Sequence, residues 1–205
     1  MLTVYSVLWG NKYSKQYVYT LKNAVAANLK VPHKFVCLTD HKLDGINCVA
    51  PICAYEGWWQ KTSLFEVANG PSLYFDLDSV IVGGLDYLVP YTNYKISAPA
   101  NWAESGHGGI QSSVMAWNGE WKEPYRKLNY EEAKNRLWGD QEWLTELVGK
   151  DFKRIPHVYS YKYHCKPSCS FPVDASVITF HGKPDYHEVG QKWVKDYMST
   201  YTSIL

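Results

Sequence analysis

The chain has 205 residues, enough for one domain at about 150 residues each and for a core burying about 70% of the unfolded surface. Its 21 Lys and Arg against 20 Asp and Glu leave a net charge of +1, which excludes attachment to nucleic acid or membrane by bulk charge but leaves room for a local basic patch. With 46% hydrophobic and 20% charged residues the chain is not disordered. Aromatic residues reach 16%, with 17 Tyr and 9 Trp; most serve as core fillers, and the surplus suits flat ligands such as bases or sugars. No basic segment with a long apolar run opens the chain, so no signal peptide is expected. No window approaches about 18 consecutive apolar residues, so no membrane span is expected either. Five cysteines leave one unpaired in any disulfide scheme, and reduced thiols in a cytoplasm are the expectation.

Residues 2–9 read as a strand, apolar on both faces and ended by Gly10 and Asn11. Tyr17, Val18, Leu21, Val25 and Leu29 recur at helical spacing over 14–29, with Ser14 as N-cap. A second strand over 33–40 ends in Thr39 and Asp40. Strand, helix, strand within 40 residues predicts an α/β domain opening on parallel strands. Further on, 57–69 predicts a short helix stopped by Gly70 and Pro71, and 72–83 a strand carrying Asp76 and Asp78 in an apolar run. A strand and turn over 93–102 and a buried strand over 109–118 follow. Residues 129–149 predict one helix with Asp140 and Gln141 near its middle, 173–184 a late strand, and 187–199 a last helix. Without repeats, low-complexity tracts or linkers, the reading is one domain, 1–205.

Asp76-Leu77-Asp78 is the sharpest chemical feature. Carboxylates in a buried strand are costly unless paired, hydrogen-bonded or metal-bound, and two acids two residues apart on a strand face one side, within reach of one hard cation. The plainer alternative is a pair of solvated acids at a strand end. His181 falls at the exit of the run Val177-Ile178-Thr179-Phe180, where ligand sites of open α/β sheets form. A neutral imidazole there would complete an Asp76, Asp78, His181 set for Mn²⁺. Gly182 permits close backbone approach, and Lys183 can neutralise a diphosphate as a point charge. Taken alone, His181 to Pro184 is an ordinary turn.

The segment WWQKTSLFEVANGPSLYFDLDSVIVGGLDYL resembles the donor-site segment of GT-A glycosyltransferases, especially family eight and its small bacterial and phage relatives. The likeness continues, in family order, through VYSVLWGNKY, FVCLTD, QSSVMAW, Gly139-Asp140-Gln141, the run Ser160 to His164, and FHGKPDYHE. The resemblance implies a three-layer α/β/α domain with a mostly parallel, mixed central sheet. It implies that Asp76 contacts the donor ribose and the metal, Mn²⁺ or Mg²⁺, that Asp78 and His181 ligate the metal, and that Gly182 and Lys183 lie at the diphosphate. Lys61 stands where the family has a basic residue touching donor sugar or phosphate. Leu8, Trp9, Tyr13, Thr39 and Asp40 would hold the nucleoside of a UDP-sugar. Gln111, Ser112 and Ser113 would lie beneath the donor sugar, and Asp140 and Gln141 on its reacting face. Where family-eight chains end His-x-x-Gly-x-x-Lys-Pro-Trp, this one compresses to His-Gly-Lys-Pro, with His187 in place of the Trp.

The implied reaction is metal-dependent transfer of a hexose or pentose from a nucleotide sugar, with retention of configuration. An inverting enzyme would instead need a carboxylate base, for which Asp140, Glu142 or Glu104 could serve. The acceptor is open: hydroxymethylated DNA of a phage, a glycan or a protein, reached in the cytoplasm, or the host's if phage-encoded. The alternatives are a non-catalytic nucleotide-sugar or glycan binding module and a nucleotidyltransferase, for which Gly10-Asn11-Lys12-Tyr13 is a poor phosphate loop. Three weaker features remain. His164 with Cys165 and Cys169, joined by Cys48 and Cys53, has spacings unlike the usual zinc site. The Gly-rich loop Glu104 to Gly109, with His107, reads as a lid or acceptor loop. Lys150 to Lys166 interleaves basic residues with Phe152, Tyr159, Tyr161 and Tyr163, a pattern that suits an anionic, stackable acceptor and equally a solvated face. Trp58 and Trp59 suit either a sugar platform or packing on the sheet.

Overall fold

The computed structural model describes residues 1–102 and 109–202. Strand β1 (Leu2–Leu8) pairs in parallel with β2 (His33–Thr39) over its whole length, from Leu2 opposite His33 to Leu8 opposite Thr39. Helix α1 (Lys15–Asn28) makes the crossover and buries Tyr17, Val18, Leu21, Ala24 and Val25 along one stripe. Ser14 takes the N-cap position without a side-chain cap bond. A short strand β3 (Asn47–Val49), not foreseen from the sequence, extends the parallel set beyond β2.

The predicted strand 72–83 is two strands. β4 (Ser72–Phe75) pairs in parallel with β1, the chain then turns through Asp76 to Asp78, and β5 (Ser79–Ile81) joins a different sheet. The turn closes with the Ser79 amide donating to the Asp76 carbonyl at 3.1 Å. Carboxylates that must face a cavity cannot also pack in a continuous buried ladder, so the acids mark the switch between sheets.

The larger sheet runs β3-β2-β1-β4-β7-β6-β8, with β6 (Ser97–Ala98), β7 (Val114–Trp117) and β8 (Lys153–Arg154). β7 is antiparallel to both β4 and β6, and β8 is parallel to β6. The smaller sheet places β10 (Val177–Thr179) between β5 and β9 (Val158–Ser160). Period-two alternation sends Val4, Leu73 and Phe75 to one face, beneath α1 and helix α6 (Lys192–Thr202). Tyr5 and Tyr74 go to the other, beneath α2 (Lys61–Val67) and α5 (Asp140–Val148). Three layers result, α/β/α, around a mixed sheet whose first four strands are parallel.

The predicted helix 129–149 is also broken. After α3 (Glu123–Arg126), α4 (Tyr130–Arg136) ends at Leu137, which is extended, and Asp140 opens α5 instead of lying mid-helix. Gly139 is fully extended at the break, where an added Cβ would come 2.5 Å from Nε1 of Trp58. The predicted strands 93–102, 109–118 and 173–184 contract to the cores of β6, β7 and β10, and the last helix starts later and runs on to Thr202. No helix among the described residues is long and apolar enough to cross a membrane. All five cysteines are free thiols.

Candidate functional site

The C-terminal ends of β1 and β4 open into a cavity of about 530 Å³, the place where parallel α/β sheets leave room for a ligand. Trp9 and Tyr13 arrive from the exit of β1, Lys61 from the start of α2, and Asp76 and Asp78 from the turn after β4. Gln111 to Ser113 come from the approach to β7, Asp140 and Gln141 from the start of α5, and His181 and Gly182 from beyond β10. Twelve sequence-predicted residues thus share one cavity. Leu8 is 1% exposed and lies in the core under α1. Thr39 is buried and caps the His41 amide at 3.0 Å, while Asp40 is exposed beside His41. Neither lines the cavity. Lys183 points elsewhere, 2.6 Å from Asp185 and 2.9 Å from Glu188. Glu104 and His107 lie outside the described residues.

Lys61 organises the acids. Its ammonium is 2.9 Å from Asp76 Oδ1, 3.6 Å from Asp140 Oδ2 and 3.2 Å from Ser112 Oγ. Burial pulls the Lys61 pKa down, but Asp140 and Asp76 more than offset it, so the net shift is upward and the ammonium stays charged. Tyr74 donates to Asp76 Oδ1 at 2.5 Å. The hydroxyl of Tyr13 donates to Asp78 Oδ2 at 2.7 Å. Burial, then the Asp76 charge, push the Asp78 carboxyl up to about 7. Asp140 is also raised, by burial first, against the opposing pull of Lys61. Its Oδ2 is buried and accepts no hydrogen bond from the described residues. Asp76 and Asp140 flank the Lys61 ammonium, and Asp78 lies near both Lys12 and Lys61, so among the described residues the carboxylates outnumber the cations that line the cavity.

His181 lies between the rings of Trp102 and Tyr163, at 5.9 Å and 5.8 Å between centroids, with Nε2 2.6 Å from Ser160 Oγ. Burial and then Lys162 lower its pKa to about 4, so the ring is neutral at physiological pH. That is the protonation state a metal ligand needs. Among the described residues, however, the trio with ligand atoms all within 4.8 Å of one another is Asp185, His187 and Glu188, not Asp76, Asp78 and His181. In the former, Lys183 bridges the two carboxylates and Tyr17 bonds His187 Nδ1. The excess of acid at Asp76 and Asp78 fits a divalent cation; His181, held by Ser160, is not drawn in beside them.

Lys12, read above only as part of a poor phosphate loop, lines the cavity, as do Tyr74 and Trp138, which the sequence did not single out. Tyr74 could have been found as the residue sharing Asp76's strand face. Trp138, 89% exposed, directly precedes Gly139-Asp140-Gln141. Trp58, 55% exposed, also stands at the rim and donates from Nε1 to the Trp138 carbonyl at 3.1 Å. Trp59 is buried.

The architecture is that of the GT-A glycosyltransferases. GlyE, a glycosyltransferase of Streptococcus pneumoniae, superposes with a TM-score of 0.75 at 13% identity, matching 99% of this chain and 60% of its own. The galactosyltransferase LgtC, solved with donor and acceptor sugar analogs, superposes with a TM-score of 0.69 at 14% identity, matching 99% of this chain and 97% of its own. WbbM, a bifunctional glycosyltransferase, gives 0.67 at 10% identity, with half of its chain matched. This chain therefore spans about three fifths of GlyE and nearly all of LgtC. At these identities the likeness establishes the fold. No protein-family model matches the sequence, and no curated protein matches it.

Proposed function

We propose that residues 1–205 form one catalytic domain that transfers a hexose or pentose from a nucleotide sugar, UDP-linked, with retention, as in family-eight enzymes and their small phage and bacterial relatives. The observation that carries this reading is the cluster of Asp76, Asp78 and Asp140 around Lys61, at the strand ends of a GT-A fold. Asp76 and Asp78 would hold Mn²⁺ or Mg²⁺, which when bound supplies positive charge to the departing diphosphate. Lys61 pairs with both Asp76 and Asp140 in a buried setting. Tyr13 orients Asp78. Trp9 offers a half-exposed face to the nucleobase. Gln141, one residue into α5, stabilises the cationic face of the donor sugar as charge develops at the anomeric carbon. Lys183 reaches a diphosphate only after leaving Asp185 and Glu188. The acceptor is a hydroxymethylated DNA base, a glycan or a protein.

Thermal unfolding of the purified chain with UDP, GDP, CMP and ADP sugars, each with and without Mn²⁺, tests the donor reading beside an Asp78→Asn control. The expected result is a manganese-dependent rise for the UDP-sugars that the control lacks. No rise for any nucleotide in a folded protein overturns it in favour of a binding module.

A further inference from the structure

The donor cavity leaves Lys153 and Arg154 without a role. They form β8 at the edge of the larger sheet, and both are exposed. They line a second, more open cavity of about 510 Å³ together with Tyr91 and Trp102. Neither side chain has a carboxylate partner among the described residues; Lys153 instead lies over the ring of Tyr94, 5.4 Å from its centroid. Two positive charges thus line an open cavity with no carboxylate beside them among the described residues.

A stacked pair of rings stands between the two cavities. Trp102 lines the second, and its ring lies nearly parallel to that of His181, at 22°. His181 in turn lines the first. A molecule seated on Trp102 is therefore next to the donor site.

The structure also divides the basic and aromatic stretch from Lys150 to Lys166. His157 is bound to Asp174 at 2.9 Å, His164 accepts the Ser160 amide at 3.0 Å, and Lys162 lies beside His181 and Gly182. A nucleic-acid strand would need a row of phosphate contacts. Only Lys153 and Arg154 of this stretch bring charge to the cavity, and a guanidinium with an adjacent ammonium suits one phosphate or carboxylate group. The Trp102 and Tyr91 rings suit the apolar face of a sugar.

We propose that this second cavity is the acceptor subsite and takes a sugar bearing a single phosphate or carboxylate. The proposal rests on the glycosyl-transfer reading above. In the reaction the acceptor hydroxyl oxygen bonds to the anomeric carbon as that carbon's bond to the diphosphate oxygen breaks. The diphosphate leaves with the electron pair and takes up the hydroxyl proton.

The test is an NMR titration of the ¹⁵N-labelled full chain, following the Trp102 indole resonance, with glucose 6-phosphate, glucuronate, glucose and a short oligothymidylate as probes. Glucose 6-phosphate and glucuronate should bind about tenfold more tightly than glucose, as expected for charge-assisted hydrogen bonds. Arg154→Glu should abolish that preference and Arg154→Lys should keep most of it. UDP binding with Mn²⁺, measured on the same variants, should be unchanged, which separates this site from the donor site and confirms folding. Equal binding of glucose and glucose 6-phosphate, no binding of either anionic sugar, insensitivity to Arg154→Glu, or tighter binding of the oligothymidylate each overturns the proposal. Absence of UDP binding in every variant, with anionic-sugar binding intact, would instead strike the donor reading.

Discussion

The Lys61 ammonium and the Asp76 carboxylate meet at 2.9 Å, with side chains only 9% and 21% exposed. An ion pair this deep gains little over an apolar pair of equal shape, because both charges are desolvated. Removing one partner is another matter, since it strands the other.

Lys61→Met should accordingly lower stability by about 3 kcal/mol, the usual cost of leaving a buried charge unpaired. At this chain length that corresponds to a fall in Tm of roughly 6–12 °C. Adding Asp140→Asn should restore part of the loss, because Asp140 is the second carboxylate on Lys61. Urea unfolding of the two variants checks this; a double variant less stable than Lys61→Met would show that Asp140 is held by something other than Lys61.

Gly119 and Gly139 should respond differently to alanine. At Gly119, φ is +81° and a Cβ would meet the Gly70 backbone at 2.4 Å, which cannot yield without moving the chain. Gly139 is extended, a conformation any residue adopts, and its Cβ would come closest to the half-exposed ring of Trp58. Gly119→Ala should cost about 2–3 kcal/mol and Gly139→Ala about 1 kcal/mol, as overpacking against rigid and yielding neighbours does. Tryptophan emission should shift in Gly139→Ala as Trp58 is displaced from the Trp138 carbonyl. Equal costs would contradict the geometry.

Glu123 gives a pH signature. Bonds from Lys127 and then Trp121 and Lys95 depress its carboxyl to about 2. A folded pKa below the unfolded one means stabilisation that is present at neutral pH and fades as pH falls from about 4.5 toward 2. Glu123→Gln should therefore be less stable than the parent at pH 7, with the difference shrinking below pH 4.5. Unfolding midpoints across pH 3–8 check it; a constant difference would remove the charge from the account.

Trp138 is 89% exposed, so Trp138→Ala should leave stability within about 0.5 kcal/mol, as surface changes do. Because Trp138 also lines the cavity at the strand ends, the proposed function requires that sugar-nucleotide binding weaken, read by calorimetry. Loss of stability without loss of binding would make Trp138 a packing residue.

Much of this was legible in the chain itself. The opening β1-α1-β2 unit follows from period-two and period-3.6 patterns that need only neighbouring residues, and its register is as regular as its apolar runs. Asp76 and Asp78 stood out because carboxylates inside an apolar run demand an explanation. By itself the sequence determined the parallel start of the sheet, the importance of the paired acids and most of the residue types that meet them. The tertiary structure decided what no local pattern encodes. It broke 72–83 and 129–149, where the acids turn out of the ladder and where Gly139 lies against Trp58. It drew Lys183 to Asp185 and Glu188, kept His181 on Ser160, and set Lys61 between Asp76 and Asp140. The reason is electrostatic: a charge leaving water takes whichever partner the fold brings within reach, and that partner comes from a distant part of the chain.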